Sequence, residues 1–358
     1  MALIDQLLEA LLEREASDLH LIIGQPAKIR VNGTLEPLTD DIISEEYMEE
    51  MLNEICIQKS WEYFIKHKDL DFAYEIPGVA RFRTNYLFNY YGMAAVLRQI
   101  PTKIPTMQEL LLPAILKKIC NSDGGLFCIT GPTGSGKSTT LAAMIDYINS
   151  KYCKHIITLE DPIEFVHKNK KSIIVHREVG IHTNSFSNAL NNAMRSDPDI
   201  ILLGEMRDLE TIRLALTCAA MGILVFATLH TNNAPKTIDR IIDAFPADEQ
   251  PQIKTMLSEA LHGVVSQLLC KKKGGGRIAS HEILLWTEGL PNIIREGQIS
   301  NIYTIIDSNK GMGMQSMDNT LKKYLEDGII SPEEAYMKAN NKKAFIHFLE
   351  EEDGDVQN

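Results

Sequence analysis

Nine residues near the middle of the chain, Gly131-Pro132-Thr133-Gly134-Ser135-Gly136-Lys137-Ser138-Thr139, have the types and spacing that bind the phosphates of a nucleoside triphosphate. Glycines at 131, 134 and 136 let the backbone curl until successive N–H groups point at one anion. Lys137 can reach the β- and γ-phosphates, and the Ser138 hydroxyl can hold Mg²⁺. Thr133, Ser135 and Thr139 complete the phosphate-contacting set, so ATP and Mg²⁺ are the expected ligands. Hydrolysis needs more: a carboxylate beside the metal, a group that orients the attacking water, and positive charge at the γ-phosphate.

Each of these has candidates. Ile200-Ile201-Leu202-Leu203-Gly204-Glu205 is an apolar run closed by an acid, so Glu205 can reach the Mg²⁺ or end the strand in a salt bridge. Thr158-Leu159-Glu160-Asp161-Pro162-Ile163-Glu164 crowds Glu160, Asp161 and Glu164 behind another apolar run. Carboxylates this close repel unless a cation sits among them or solvent bathes them. His230 follows a third run, Ile223–Thr228, where open α/β sheets place their ligands; a structural histidine is the alternative. Arg195, Arg207 and Arg213 lie nearby in sequence, and Arg81, Arg83 and Arg98 lie far upstream. An arginine from outside the core could act on the γ-phosphate, in cis or from a neighbouring subunit, or be plain surface charge.

These residues need a scaffold of parallel strands. The nearly all-apolar runs Leu126–Thr130, His155–Leu159, Ile200–Leu203 and Ile223–Thr228 read as central strands. Thr140–Asn149, Ser185–Arg195 and Leu209–Met221 read as the helices between them, and the alternation predicts an α/β core. A helical region follows, clearest over Asp248–Leu261, then a flexible turn at Lys271–Gly276 and a strand at Ile278–Leu285. Ser331-Pro332-Glu333-Glu334 is a helix start with a capping box.

Upstream, residues 1–100 read as a smaller α+β domain. Its expected parts are a helix from Ile4 to Leu12, a hairpin turning at Asn32-Gly33, one helix over Ser44–Lys66, and strands at Asp71–Ile76, Ala80–Phe88 and Met93–Gln99. Alternation places Arg81 and Arg83 on one face of their strand. Prolines in Ile100–Pro105 mark a linker, taken as 101–112, with the ATP-binding domain over 113–358.

Composition excludes some classes. The net charge of −12 over 358 residues argues against general nucleic-acid binding, though not against a local basic patch. Six scattered cysteines form no C-x-x-C pair, which disfavours a zinc site or disulfide framework and suits a reducing cytosol. Met1–Glu15 has the pattern of a charged amphipathic helix rather than a signal peptide. No apolar run reaches the roughly 20 residues that span a bilayer, so any membrane role is expected to be peripheral.

Taken together, the motifs resemble those of the secretion-type hexameric ATPases, and within them the type IV pilus retraction motors. The likeness runs the length of the chain. Ala16-Ser17-Asp18-Leu19-His20-Leu21 with Arg30-Val31-Asn32-Gly33 resembles the family's N-terminal PAS-like domain, and Ala80–Asn85 its arginine strand. Thr158–His167 resembles the aspartate box, Gly204–Asp208 the atypical Walker B motif, Ala227–Thr231 the second histidine box, and Pro291–Glu296 the C-terminal segment associated with retraction. The resemblance implies a RecA-like ATPase core. Lys137 and Ser138 would bind phosphate and Mg²⁺. Glu205 would hold the metal or its water, Glu164 would activate water, and His230 would sense the γ-phosphate or the subunit interface. Arg81, Arg83 and Arg98 would pack against a neighbour's nucleotide. It also implies a homohexamer, cytoplasmic and peripheral at the inner membrane, that drives a platform protein there to retract the pilus and power twitching. Three departures stand out: Ile223 where the family usually carries histidine, Asn191 where arginine is common, and Gly289-Leu290-Pro291 at the head of the C-terminal segment. An assembly motor of the same superfamily, or an accessory ring with poor turnover, are the other readings.

Overall fold

A computed structural model describes residues 2–31, 33–100 and 103–349. The chain divides into two compact units, one of Met1–Lys103 with Asp161–Val166 and one of Ile104–Glu160 with His167–Asn358.

The first unit runs α1 (Leu3–Glu13), β1 (Asp18–Ile22), β2 (Pro26–Val31), β3 (Thr34–Ile42), α2 (Glu45–Glu54), α3 (Gln58–His67), β4 (Asp69–Ile76), β5 (Ala80–Asn89) and β6 (Gly92–Ile100). Its antiparallel sheet has the order β3-β2-β1-β6-β5-β4. Strand alternation sorts the side chains: Leu19, Leu21, Ile29, Phe82, Tyr86 and Leu97 face Ile4, Leu8, Met48, Met51, Trp61 and Phe64 of the helices. The single helix predicted over Ser44–Lys66 is two, with α2 capped at Ile55 and α3 starting after Ile57. A continuous apolar pattern hides this break, whereas the β-branched pair Ile55 and Ile57 permits it. The predicted turn at Asn32-Gly33 and the linker prolines fall partly outside the described residues, as does the tail from Glu350.

The second unit runs α4 (Ile115–Ile119), β7 (Gly125–Thr130), α5 (Lys137–Lys151), β8 (His155–Glu160), β9 (Ile173–Glu178), α6 (Phe186–Ala193), β10 (Ile200–Leu203), α7 (Leu209–Ala220), β11 (Leu224–Leu229), α8 (Ala234–Asp243), α9 (Gln250–Ala260), β12 (Leu261–Lys271), β13 (Arg277–Leu285), α10 (Leu290–Glu296), α11 (Ile302–Ser308), α12 (Met317–Glu326) and α13 (Pro332–Lys338). The sheet order is β13-β12-β7-β11-β10-β8-β9, parallel except for the β12–β13 pair. This is the RecA-like α/β architecture the motifs imply. Alternate residues of each strand enter different cores. Cys128, Ile201 and Val225 pack with α6 to α9 on one face, and Ile129, Leu202 and Phe226 pack with α4 and α5 on the other. Two strands escape the sequence reading. Leu261–Lys271 is a strand and not helix, because its near-continuous apolar run carries no period that separates the two. Ile173–Glu178 sits at the sheet edge, where polar residues dilute the pattern. Residues 106–112 are not free linker either: Met107 is buried in the second unit's core, with Leu110 and Leu112 packed against it. Among the described residues no helix is long and apolar enough to cross a membrane.

Candidate active site

Three adjacent strands, β7, β11 and β10, end side by side and each delivers one part of a site. Strand β7 is buried along its whole length and carries the phosphate loop at its C-terminal end. Gly131, Gly134 and Gly136 take φ values of 146°, 78° and 87°, in the left-handed region that disfavours side chains. Lys137 opens α5 and folds over the loop, its Nζ donating to Gly131 O at 2.8 Å and Pro132 O at 3.1 Å. Ser135 Oγ is buried and has no hydrogen-bond partner among the described residues. A leftover buried hydroxyl in a loop of backbone donors at a helix N-terminus fits a phosphate. Thr133 is exposed, and Ser138 and Thr139 are half-buried on the first turn of α5.

Strand β10 delivers Glu205. The loop beyond the strand is tight: Gly204 N donates to Leu159 O at 2.7 Å, and a Cβ at Gly204 would stand 3.1 Å from that same oxygen. A side chain there would crowd that backbone oxygen, and the acid stands one residue later. Glu205 Oε2 lies 2.8 Å from Arg207 Nη2, and Oε1 lies 3.1 Å from His230 Nε2, which follows β11. Burial alone would raise the Glu205 pKa, but Arg207 and His230 reverse this and hold the carboxyl below its ordinary value. So the salt-bridged strand end is real in this structure, and it is built from the two residues, Glu205 and His230, that the motifs single out.

At the end of β8, Glu160 Oε1 is 3.9 Å from His176 Nδ1. The His167 N–H donates to His176 Nε2 at 3.1 Å, so that nitrogen carries no proton, and Nδ1–H then donates to Thr158 Oγ1 at 2.8 Å. His167 itself is buried, and burial with the neighbouring His176 pushes its pKa down to about 4. Glu164 lies on Asp161–Val166, which groups with the first unit.

The upstream arginines line up on the helix-free face of the first unit's sheet. Arg30, Asp18, Arg98 and Arg83 stand directly opposite one another across β2, β1, β6 and β5. Arg98 Nε reaches Asp18 Oδ1 at 2.7 Å, Arg83 lies 3.9 Å from Asp71, and Arg81 reaches Glu75 at 3.1 Å. Arg81 and Arg83 do share one face.

Sequence reasoning missed one contributor to the loop, Gln267 on β12, whose side-chain amide donates to Ser135 O at 2.7 Å. The available signal was the polar pair Ser266-Gln267 inside an apolar run. Ile223 proves remote from the loop within its unit: it is buried just before β11, at the opposite end of that strand from His230. Asn191 and Arg195 are exposed around the end of α6.

A profile of the family described as type II/IV secretion system protein matches residues 1–336. The chain belongs to that family. It is 48% identical over 342 residues to the type IV pilus retractation ATPase PilT of Pseudomonas aeruginosa, covering 96% of this chain and 99% of that one. It is also 48% identical over 317 residues to a twitching motility protein of Neisseria gonorrhoeae, covering 88% and 85%. A solved structure of the pilus retraction motor PilT with bound ADP superposes with a TM-score of 0.88 at 42% identity, covering 96% of this chain and 98% of that chain. The chain is a PilT-like ATPase.

Proposed function

We propose that this chain is the hexameric motor that retracts type IV pili, turning ATP hydrolysis into work on a platform protein of the inner membrane from the cytoplasmic side. The observation that carries this reading is 48% identity to a retraction ATPase over 96% of the chain, because it spans both the phosphate-binding unit and the arginine-bearing one.

The residues take the following parts. Gly131, Thr133, Gly134, Ser135, Gly136 and Thr139 cradle the phosphates, and Lys137 neutralises charge between the β- and γ-groups. Ser138 and Glu205 would hold Mg²⁺. Both offer hard oxygen donors, Glu205 is kept ionised, and such a site leaves the remaining positions to water and phosphate oxygens. Glu164 is the candidate base, with Glu160 next in line. His230 touches Glu205 and can report on whatever Glu205 holds. Arg81, Arg83 and Arg98 act on the nucleotide of a neighbouring subunit.

The segment Pro291–Glu296 would couple the motor to its work. Leu290 and Ile294 of α10 are buried in the core, while Arg295 is exposed and donates from Nη1 to Ser258 Oγ of α9 at 3.1 Å. A cell lacking this gene should carry excess unretracted pili and fail to twitch; normal retraction in that cell overturns the reading. Arg295→Ala should keep ATPase activity and lose twitching. Loss of both with the ring intact would assign the segment to catalysis instead.

A further inference from the structure

Beneath the phosphate loop lies a residue that no motif marks. Gln267 of β12 is 2% exposed, and every polar atom of its side chain is engaged. Nε2 donates to Ser135 O at 2.7 Å, while Oε1 accepts from Thr140 Oγ1 at 2.8 Å and from His281 Nε2 at 3.1 Å. His281 is fully buried on β13, and burial pushes its pKa down to about 4, so it is neutral and its Nε2–H is a fixed donor. Two donors on one side of the amide and one acceptor on the other leave it a single orientation.

The loop is shaped around this residue. A Cβ at Gly131 would stand 2.3 Å from Gln267 O, and one at Gly136 would stand 2.9 Å from Gln267 Nε2. Gly136 thus leaves room for the Gln267 amide, and Gly131 for the backbone of β12, as well as permitting the turn. In a trans peptide the C=O and N–H point opposite ways. Holding Ser135 C=O down onto Gln267 aims the N–H of Gly136 away from β12. The next strand residue back repeats the anchoring, since Ser266 Oγ lies 2.8 Å from Thr130 Oγ1 at the end of β7.

We propose that Gln267 is a positioning residue for ATP binding: it fixes the Ser135–Gly136 peptide so that the Gly136 N–H faces the phosphate, and His281 locks the amide that does so. Donors set in place before the ligand arrives need no reorganisation to meet it.

The test uses the full chain with two substitutions. Gln267→Met keeps the length and removes all three hydrogen bonds. Gln267→Glu keeps the acceptor for Thr140 and His281 but can donate to Ser135 O only when protonated. The readouts are affinity for a fluorescent ADP analogue and kcat and KM for ATP from pH 6 to 8, with melting of the nucleotide-free protein as the control for folding. Gln267→Met should weaken ADP binding and raise KM about tenfold, the scale of one buried hydrogen bond, with a smaller change in kcat. Gln267→Glu should bind poorly at pH 8 and recover toward pH 6 as its carboxyl gains a proton, which loss of packing alone would not produce. Wild-type affinity in both folded variants overturns the proposal, as does an equal, pH-independent loss in both. Should Gln267→Met fail to fold, Thr140→Val removes one donor to Oε1 and decides the matter: a raised KM supports the role, and an unchanged KM refutes it.

Discussion

Glu205 shows how one side chain can satisfy two readings at once. Its two oxygens are divided between Arg207 and His230, so the carboxylate is paired and is ionised throughout the neutral range. A metal carried in by nucleotide would meet a negative charge already held in place, and His230 would feel the change. Glu205→Gln should lower turnover by roughly 10²-fold or more and weaken Mg²⁺-dependent nucleotide affinity. Glu164→Gln should lower turnover on the same scale while sparing affinity; full turnover there would move the base to Glu160. Lys137→Ala should abolish hydrolysis with the melting temperature nearly unchanged, and near-normal ATPase rates in it would refute the site. Lys137 could be singled out because a glycine-rich loop joins an apolar strand to the helix it opens, and Glu205 and His230 because each follows the end of an apolar run. Gln267 could not, because its role depends on a strand more than a hundred residues away in sequence coming to lie under the loop.

At the scale of elements, β13 ties the C-terminal helices to both nucleotide motifs. Adjacent residues face opposite ways: His281 reaches Gln267 under the phosphate loop, while Glu282 Oε1 accepts from the Ala234 N–H at 2.9 Å. Ala234 begins α8, directly after the His230 loop. Burial pushes Glu282 up to about 7, with Asp318 adding to the rise. The folded chain thus binds this proton more tightly than the unfolded chain, whose glutamate titrates at about 4.3. Stability from this group is full below that value and is lost as pH rises through about 7. Glu282→Gln keeps an acceptor for Ala234 and removes the titration. Its melting temperature relative to wild type should climb by a few degrees between pH 5 and pH 8, and a flat difference would place the proton elsewhere. His281 works with the opposite sign, since a histidine held near 4 destabilises the fold as pH falls below about 6.5, so the comparison must be between variant and wild type. The central parallel strands β7, β8, β10 and β11 and the helices between them could be read from pattern alone, whereas the edge strand β9 could not. Of the β12–β13 hairpin that joins these parts only β13 and the turn before it could be, because Leu261–Lys271 is apolar without period and its strand character comes from pairing with β7.

At the scale of the whole molecule, the arginine row poses a problem that a lone subunit solves poorly. Arg98 and Arg83 stand directly opposite each other on neighbouring strands, an arrangement that repels. Each leans toward its own acid, Arg98 closely on buried Asp18 and Arg83 only loosely on Asp71. An anion brought against this face would relieve the repulsion, and a triphosphate held by another subunit is such an anion. If Arg83 acts in trans, a site is complete when one subunit supplies Lys137 and its neighbour supplies Arg83. Arg83→Ala and Lys137→Ala proteins should each be inactive alone. Mixed and allowed to exchange subunits, they should regain part of the wild-type ATPase rate, because some interfaces then join an intact loop to an intact arginine. If Arg83 served its own subunit's nucleotide, every protomer in the mixture would lack one of the two groups and no activity would return. Arg83 is half-exposed and weakly paired, so its removal should leave the fold intact and the comparison clean. Differently tagged subunits recovered in one ring establish that exchange took place; with exchange established, an inactive mixture rules out the trans arginine at this position.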